Sequence, residues 1–326
     1  LFSMSSKKFL IPDGIEYYTG VDASLLEKLK LSVIKIFKKY KYDFVVTPVI
    51  DSIDNLNNLN DFNYKNLNIS LSDRRELAIR SDITPQISRL DYQSNEMNKS
   101  NKYSYMGDIY RETRSPFDRN IPLQAGAEYF GKLSKNIDVT LIKMCYEIIS
   151  LAKSKRIIIE LNDSYFINHY LESLKLINLD KNTLKNLINL KSIDEINNFF
   201  KIKKLSQKKL NELLELMTFD GPVSMVKDIN IFCKKYKYNC KENIKLLTSI
   251  IKDIKSLKNV ELVVDICSFR SMDYEKSFNY AFYVENFRKA IALGGRYISY
   301  KLNNGTVRTA TGFSIDLKDI IMIYEK

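Results

Sequence analysis

With 326 residues, 45% of them hydrophobic and 28% charged, the chain has a globular composition and a length that fits about two domains, which excludes disordered and collagen-like classes. The 51 Lys and Arg outweigh the 39 Asp and Glu and leave a net charge of +12. One His and 4 Cys without a Cys-x-x-Cys pair argue against a Cys/His zinc site and a disulfide-stapled mini-domain, so no metal and no cofactor are expected.

The positive charge has two readings. One is nucleic-acid binding. The other is a background rich in Lys, Asn and Ile, in which lysine fills solvated positions. No basic run interleaves with aromatics into a stacking platform, which favours the second. No stretch approaches the roughly 18 apolar residues of a membrane helix. The start, Leu1 to Lys8, lacks a signal-peptide core. Free thiols and no signal place the chain in the cytoplasm as an expectation.

In chain order, Leu25, Leu26, Leu29, Val33, Ile36 and Phe37 recur at helical spacing and predict a helix over 22–40. Tyr42 to Ile50 is a β-rich run in which Pro48 suits a strand end or edge. Two short strands are expected over 69–80 around Asp73-Arg74-Arg75, then a helix from Gln86 to Tyr92 with Pro85 in its first turn. Lys102–Arg111 and Leu123–Phe130 are expected to pair as strands. A helix over 136–153 and a buried strand at Ile157–Leu161 follow. From 164 to 257 only Gly221 remains of the glycines, and Leu and Ile recur with helical period. This stretch carries 17 Lys against 10 Asp and Glu, so most of the excess charge lies here. It is expected to be a helical insertion. Strand character returns at Val260–Ile266, Tyr280–Val284, Ala290–Leu293 and Ala310–Phe313, before a final helix from about Asp316. The predicted class is α+β, with a mainly antiparallel sheet and helices segregated to one side. Neither of the two commonest glycine-rich phosphate loops is present.

Three clusters carry candidate chemistry. In Arg80-Ser81-Asp82-Ile83-Thr84-Pro85-Gln86, Asp82 and Thr84 are either helix caps or groups that receive an ammonium. In Gln124-Ala125-Gly126-Ala127-Glu128, the strand period of two puts Gln124, Gly126 and Glu128 on one face and the alanines on the other. That face is either a solvated polar surface or a ligand floor, with Gln124 for a polar head and Glu128 for a cationic or N–H-bearing tail. In Phe269-Arg270-Ser271-Met272-Asp273-Tyr274, Arg270 is a surface ion-pair partner or a fork for a carboxylate ligand. Leu293-Gly294-Gly295-Arg296-Tyr297 adds a glycine pair that permits close backbone approach or makes a turn.

These strings, with Ile11-Pro12-Asp13-Gly14-Ile15 before them and Thr311-Gly312-Phe313-Ser314-Ile315-Asp316-Leu317 after them, resemble in order the regulatory subunit family of ATP phosphoribosyltransferase. That family is itself similar to the catalytic core of histidyl-tRNA synthetase. The resemblance implies a class II aminoacyl-tRNA synthetase-like core over 1–163 and 258–326, the helical insertion over 164–257, and no anticodon-binding domain. It implies histidine contacts from Asp82, Thr84 and Gln124 near the amine, Glu128 at the imidazole, Arg270 at the carboxylate and Tyr274 along the pocket, with Arg111 a remnant of a nucleotide site. The departures cluster in the ATP half. Asp319 stands where a synthetase has its final-motif arginine, Thr113 stands for a glutamate, and Arg119 falls one residue out of step. In the amino-acid half, Glu275 stands where the synthetase has a second tyrosine.

The function so implied is a non-catalytic subunit with no aminoacylation. It would assemble with the short-form catalytic ATP phosphoribosyltransferase at the first step of histidine biosynthesis. It would mediate feedback by histidine and form a self-dimer through Val33 to Ile50. A synthetase-derived tRNA or RNA binder, supported by the basic insertion, and an adenylate-forming enzyme are the competing readings.

Overall fold

The computed structural model describes residues 14–57, 67–70, 76–94, 98–112, 119–268, 277–302 and 304–324. Helix α1, Gly20–Lys39, buries Leu29, Val33 and Phe37, spaced four apart on one face. The expected strand over 42–50 is instead broken into β1, Asp43–Val45, and β2, Ile50–Ser52. Pro48 lies between them. It has no N–H to give a ladder, and its carbonyl accepts from the side chains of Arg80 and Gln86. After the short α2, Ile53–Asn57, strands β3, Leu67–Ser70, and β2 both pair with β4, Glu76–Ile79, in a small sheet ordered β2-β4-β3. The helix expected after Pro85 is α3, Thr84–Ser94.

The main sheet is built from β5, Asn101–Asp108; β6, Leu123–Phe130; β7, Ile157–Asp163; β8, Asp220–Pro222; β9, Val260–Asp265; β10, Phe278–Val284; β11, Ala292–Lys301; and β12, Val307–Asp316. With β1 its order is β1-β5-β6-β12-β11-β10-β7-β9-β8. The centre is antiparallel, and β1/β5 and β7/β9 are parallel pairs. β11 and β12 run well beyond the four-residue stretches read in the sequence, because their Gly, Ser and Thr positions carry little apolar signal.

Two cores lie on opposite faces of this sheet. On one, Ala125 and Ala127 of β6 pack with α1, with α4, Lys135–Ser150, and with α11, Leu317–Tyr324. On the other, Phe130, Tyr105 and Tyr297 pack with Ile83 and with Ile87 of α3. So the helices are not all on one side: α3 covers the face that carries Gln124, Gly126 and Glu128. The crossover from β7 to its parallel neighbour β9 is the long helical stretch. It comprises α5, Tyr165–Ser173; α6, Asn178–Asn189; α7, Ile193–Ile202; α8, Gln207–Leu216; α9, Val226–Tyr236; and α10, Lys241–Ile254. It also contains β8, which pairs with β9 at the sheet edge.

Lysines end several of these helices where glycine is usual. Lys41, Lys191, Lys204 and Lys237 take left-handed φ of 52–61°. Each amide bonds a carbonyl three residues back, and the next residue bonds one five back, as in Leu205 N–H to Phe200 O. This is the Schellman arrangement, usually closed by glycine because a Cβ is disfavoured there. It accounts for part of the lysine excess and for the scarcity of glycine.

Candidate functional site

The strand–turn–helix from β4 into α3 brings Asp82 and Thr84 beneath β6. Asp82 Oδ1 accepts from the Thr84 amide at 2.9 Å, which is the capping role, and from Gln124 Nε2 at 3.1 Å. Gln124 Oε1 in turn accepts from the Ile83 amide at 3.0 Å, so both ends of that amide are fixed. Asp82 Oδ2 accepts from Arg111 Nη2 at 3.2 Å, and Arg111 Nε donates to Ser81 O at 2.9 Å. Arg111 thus joins the Asp82 group. Asp82 is both a cap and the acid of a polar group, so the two sequence readings coexist.

Glu128 is 2% exposed. Its Oε1 accepts from Thr84 Oγ1 at 3.1 Å and from Tyr105 OH at 3.4 Å, and its Oε2 from Tyr297 OH at 2.9 Å. Burial pushes its carboxyl up to about 8, against the pull of the Tyr297, Thr84 and Tyr105 hydroxyls. Gly312 lies directly opposite Glu128 in the β6/β12 register. A Cβ on Gly312 would overlap Glu128 Oε2 and come within 2.6 Å of Ala127 O. Gly312 therefore has to be side-chain-free for the carboxylate to lie where it does. Across the next strand, Gly295 pairs with Gly312. The result is a buried, hydroxyl-lined carboxyl lying over the backbone of Gly312, with Gly295 on the next strand. Its chemistry suits a group that brings N–H donors.

About Arg119 the chemistry is opposite. Arg119 Nη2 contacts Asp319 Oδ1 at 2.9 Å and its Nε lies 2.8 Å from Asp316 Oδ2, while Nη1 meets Glu16 and Tyr18. Lys289 Nζ reaches Asp319 Oδ2 at 3.1 Å. Arg119 and Asp319 are 6% and 3% exposed at the side chain. Asp316 is pushed up to about 7 by burial and by Asp319 beside it, despite Arg119. The charges at this end are matched to one another. A phosphate brought here meets Asp319 and Asp316, and like charges repel.

The family model for histidyl-tRNA synthetase matches residues 14–320. The chain belongs to the histidyl-tRNA synthetase family. An ATP phosphoribosyltransferase regulatory subunit of Hahella chejuensis is 26% identical over 324 residues, 96% of this chain and 79% of that relative. A solved Bacillus halodurans protein described as an ATP phosphoribosyltransferase regulatory subunit/histidyl-tRNA synthetase superposes with a TM-score of 0.84 at 16% identity, covering 99% of this chain and 85% of that one. An ATP phosphoribosyltransferase HisG:HisZ complex from Thermotoga maritima gives a TM-score of 0.68 at 16% identity, covering 89% of this chain and 96% of that one. The fold is thus the class II fold of this synthetase family, and Asp319 with its partners occupies the end where the sequence departs from the synthetase pattern.

Of the candidate residues, the structure brings together Asp82, Thr84, Gln124, Glu128 and Arg111. Arg270 and Tyr274, with Thr113 and Glu275, lie outside the described residues. Two tyrosines were missed as site residues, Tyr105 and Tyr297. The signal for Tyr297 was available: it stands two residues after Gly295 on one strand and so shares its face. Its neighbour Arg296 points to the other face and pairs with buried Asp138 of α4 at 2.5 Å. Among the described residues no group of three His, Cys, Asp or Glu is placed to hold a metal. Nor is any described helix long and apolar enough to cross a membrane.

Proposed function

We propose that this protein is a non-catalytic regulatory subunit of ATP phosphoribosyltransferase. It assembles with the short-form catalytic subunit at the first step of histidine biosynthesis and makes that step sensitive to histidine. The observation that supports this reading most is the contrast within one sheet. The end that would take an amino acid keeps Asp82, Gln124, Thr84 and Glu128 in one connected group, and the end that would take ATP is closed by Arg119, Asp316 and Asp319. The relative and the complex described above bear names that fit this reading. The protein is expected in the cytoplasm.

In this reading histidine lies in the Glu128 pocket, with its amine toward Asp82 and its ring toward Glu128; Arg270 receives the carboxylate and Tyr274 lines the pocket. The basic helical segment 164–257 is a module added to the core. Its lysines are spread over helix ends and ion pairs such as Lys203–Asp180 and Lys235–Glu215, which favours the regulatory reading over RNA binding. The chain also pairs with a second copy. Val33 and Phe37 are fully buried and cannot serve that contact, but Phe44, Val46, Val49 and Ile50 are exposed, Val46 at 81%. A monomer in light scattering at tens of micromolar would overturn the pairing.

The test of the main proposal is histidine inhibition of the complex with its catalytic partner. Glu128→Ala is expected to weaken inhibition at least about tenfold, since 1.4 kcal/mol is one decade and a lost charged hydrogen bond costs at least that. Wild-type inhibition constants in both the Glu128→Ala and Arg270→Ala complexes would place the effector elsewhere.

A further inference from the structure

One row of residues runs straight across five strands: Glu128 on β6, Gly312 on β12, Gly295 on β11, Asn279 on β10 and Asn162 on β7. Directly opposed residues share a face, so polar side chains stand at both ends of the row with two glycines between them. Glu128 leans over Gly312. At the other end, a Cβ on Gly295 would lie 2.6 Å from the Cβ of Asn279. The backbones of β6 and β10 are three strand steps apart, about 14 Å, and the end side chains narrow that gap from both sides.

The two ends differ in how their polar atoms are satisfied. As a carboxylate, the form that a cationic ring beside it favours, Glu128 accepts from three hydroxyls and keeps room for one more donor among its four acceptor positions. Asn279 and Asn162 are 2% and 0% exposed. Their amide nitrogens are used, Asn279 Nδ2 donating to Ser277 O at 3.3 Å and Asn162 Nδ2 to Ser268 O at 2.7 Å. Their amide oxygens are buried and accept from no described group. Buried carbonyl oxygens without a donor are rare, and each calls for an explanation. Two of them at one end of a glycine strip match a ligand that brings an N–H. The imidazole ring is such a ligand: flat, and in its protonated form carrying N–H groups on opposite edges.

We infer that Asn279, backed by Asn162, is the second ring-nitrogen acceptor of this pocket and selects an imidazole whose two ring nitrogens are both unsubstituted. The inference rests on the reading of the pocket as a histidine site. Glu128 takes one ring nitrogen and the Asn279 oxygen takes the other. A methyl group on the nitrogen facing Asn279 removes the donor and puts a carbon against an unpaired oxygen.

The experiment is calorimetric titration of the full chain with histidine and with its two ring-N-methyl isomers. Wild type is expected to bind histidine at least tenfold more tightly than one of the isomers. Asn279→Leu, similar in shape but without the acceptor, is expected to weaken histidine at least tenfold and to leave that isomer nearly unchanged, so that the discrimination collapses. A purely structural role would weaken all three ligands together. Because an apolar side chain beside Asn162 can unseat β10, Asn279→Asp provides a second test. It keeps an oxygen acceptor, and retained discrimination is the expected result. Asn279→Leu with wild-type affinity and discrimination, alongside a Glu128→Ala that has lost histidine, overturns this inference and leaves the pocket reading intact. Absence of histidine binding to wild type overturns the pocket reading itself.

Discussion

At the Glu128 end of the central sheet, a carboxyl ringed by neutral hydroxyls lies over glycine backbone; at the Arg119 end, a guanidinium meets three carboxylates. Glu128 shares its row with Gly312 and Gly295, and its carboxyl lies directly over Gly312. Arg119 is enclosed by Glu16, Tyr18, Asp316 and Asp319 from two distant parts of the chain. Both ends are buried and rich in charge, so burial and charge alone do not mark a binding site. The difference lies in what the carboxyls meet: Glu128 meets neutral hydroxyls, and Asp316 and Asp319 meet the Arg119 guanidinium.

This comparison can be broken at either end. The largest effect is expected at the closed end. Arg119→Ala leaves Asp316 and Asp319 buried without their guanidinium, and breaking a buried pair in this way costs about 3–5 kcal/mol. Urea denaturation measures it. Removing Asp319 together with Arg119 should recover part of the loss; a strictly additive double variant would show that the cluster is not a unit.

At the open end, Gly312→Ala forces a methyl group against Glu128 and the Ala127 carbonyl. Overpacking of this kind costs about 1–3 kcal/mol. Histidine binding should fall along with it, because Glu128 must leave its place. Unchanged stability and binding would mean that the bare strip has no role.

The pH dependence of stability sharpens the contrast. Glu128 is raised by burial to about 8 in the folded protein, so the native state holds this proton more tightly than the unfolded chain. Its contribution to stability is complete below the unfolded value of 4.5 and is lost as pH rises through about 8. Between those values the slope is at most about 1.4 kcal/mol per pH unit. Glu128→Gln should flatten it in denaturation series from pH 5 to pH 8.5. Asp316, raised to about 7, gives a slope of the same sign that this variant leaves in place. A profile identical to wild type would show that Glu128 titrates normally.

The smallest effect lies outside both ends and serves as a baseline. Lys204→Gly relieves a left-handed lysine at the end of α7 and should stabilise by about 0.5–1 kcal/mol, with histidine binding unchanged. A destabilised variant would show that the lysine side chain, not the backbone, holds that helix end.

Much of this was legible before any coordinates. The Leu29, Val33, Phe37 spacing gave α1, and the alternation in Gln124-Ala125-Gly126-Ala127-Glu128 gave the two faces of β6, with Ala125 and Ala127 in one core and Glu128 turned to the other side. The polar cluster at Asp82 stood out because a carboxylate, a hydroxyl and a proline meet where a strand becomes a helix. Less was legible in β11 and β12, whose small and hydroxyl residues hide their length. Tyr105 carried no local signal, since a tyrosine in a strand is ordinary core.

What the sequence alone determined, then, was periodic and local: which residues share a face, where helices begin, and which motif strings occur in which order. These follow from backbone geometry, with its repeats of 3.6 and 2, and need no knowledge of distant chain. The tertiary structure decided which strand lies beside which and in what register. Only that register sets Gly312 opposite Glu128 and Asn279 opposite Gly295. Only the packing of α11 against the sheet brings Asp319 to Arg119 across 200 positions of sequence. A one-residue slip would turn every such side chain to the opposite face, so it was burial of the two cores that fixed the register and, with it, the site.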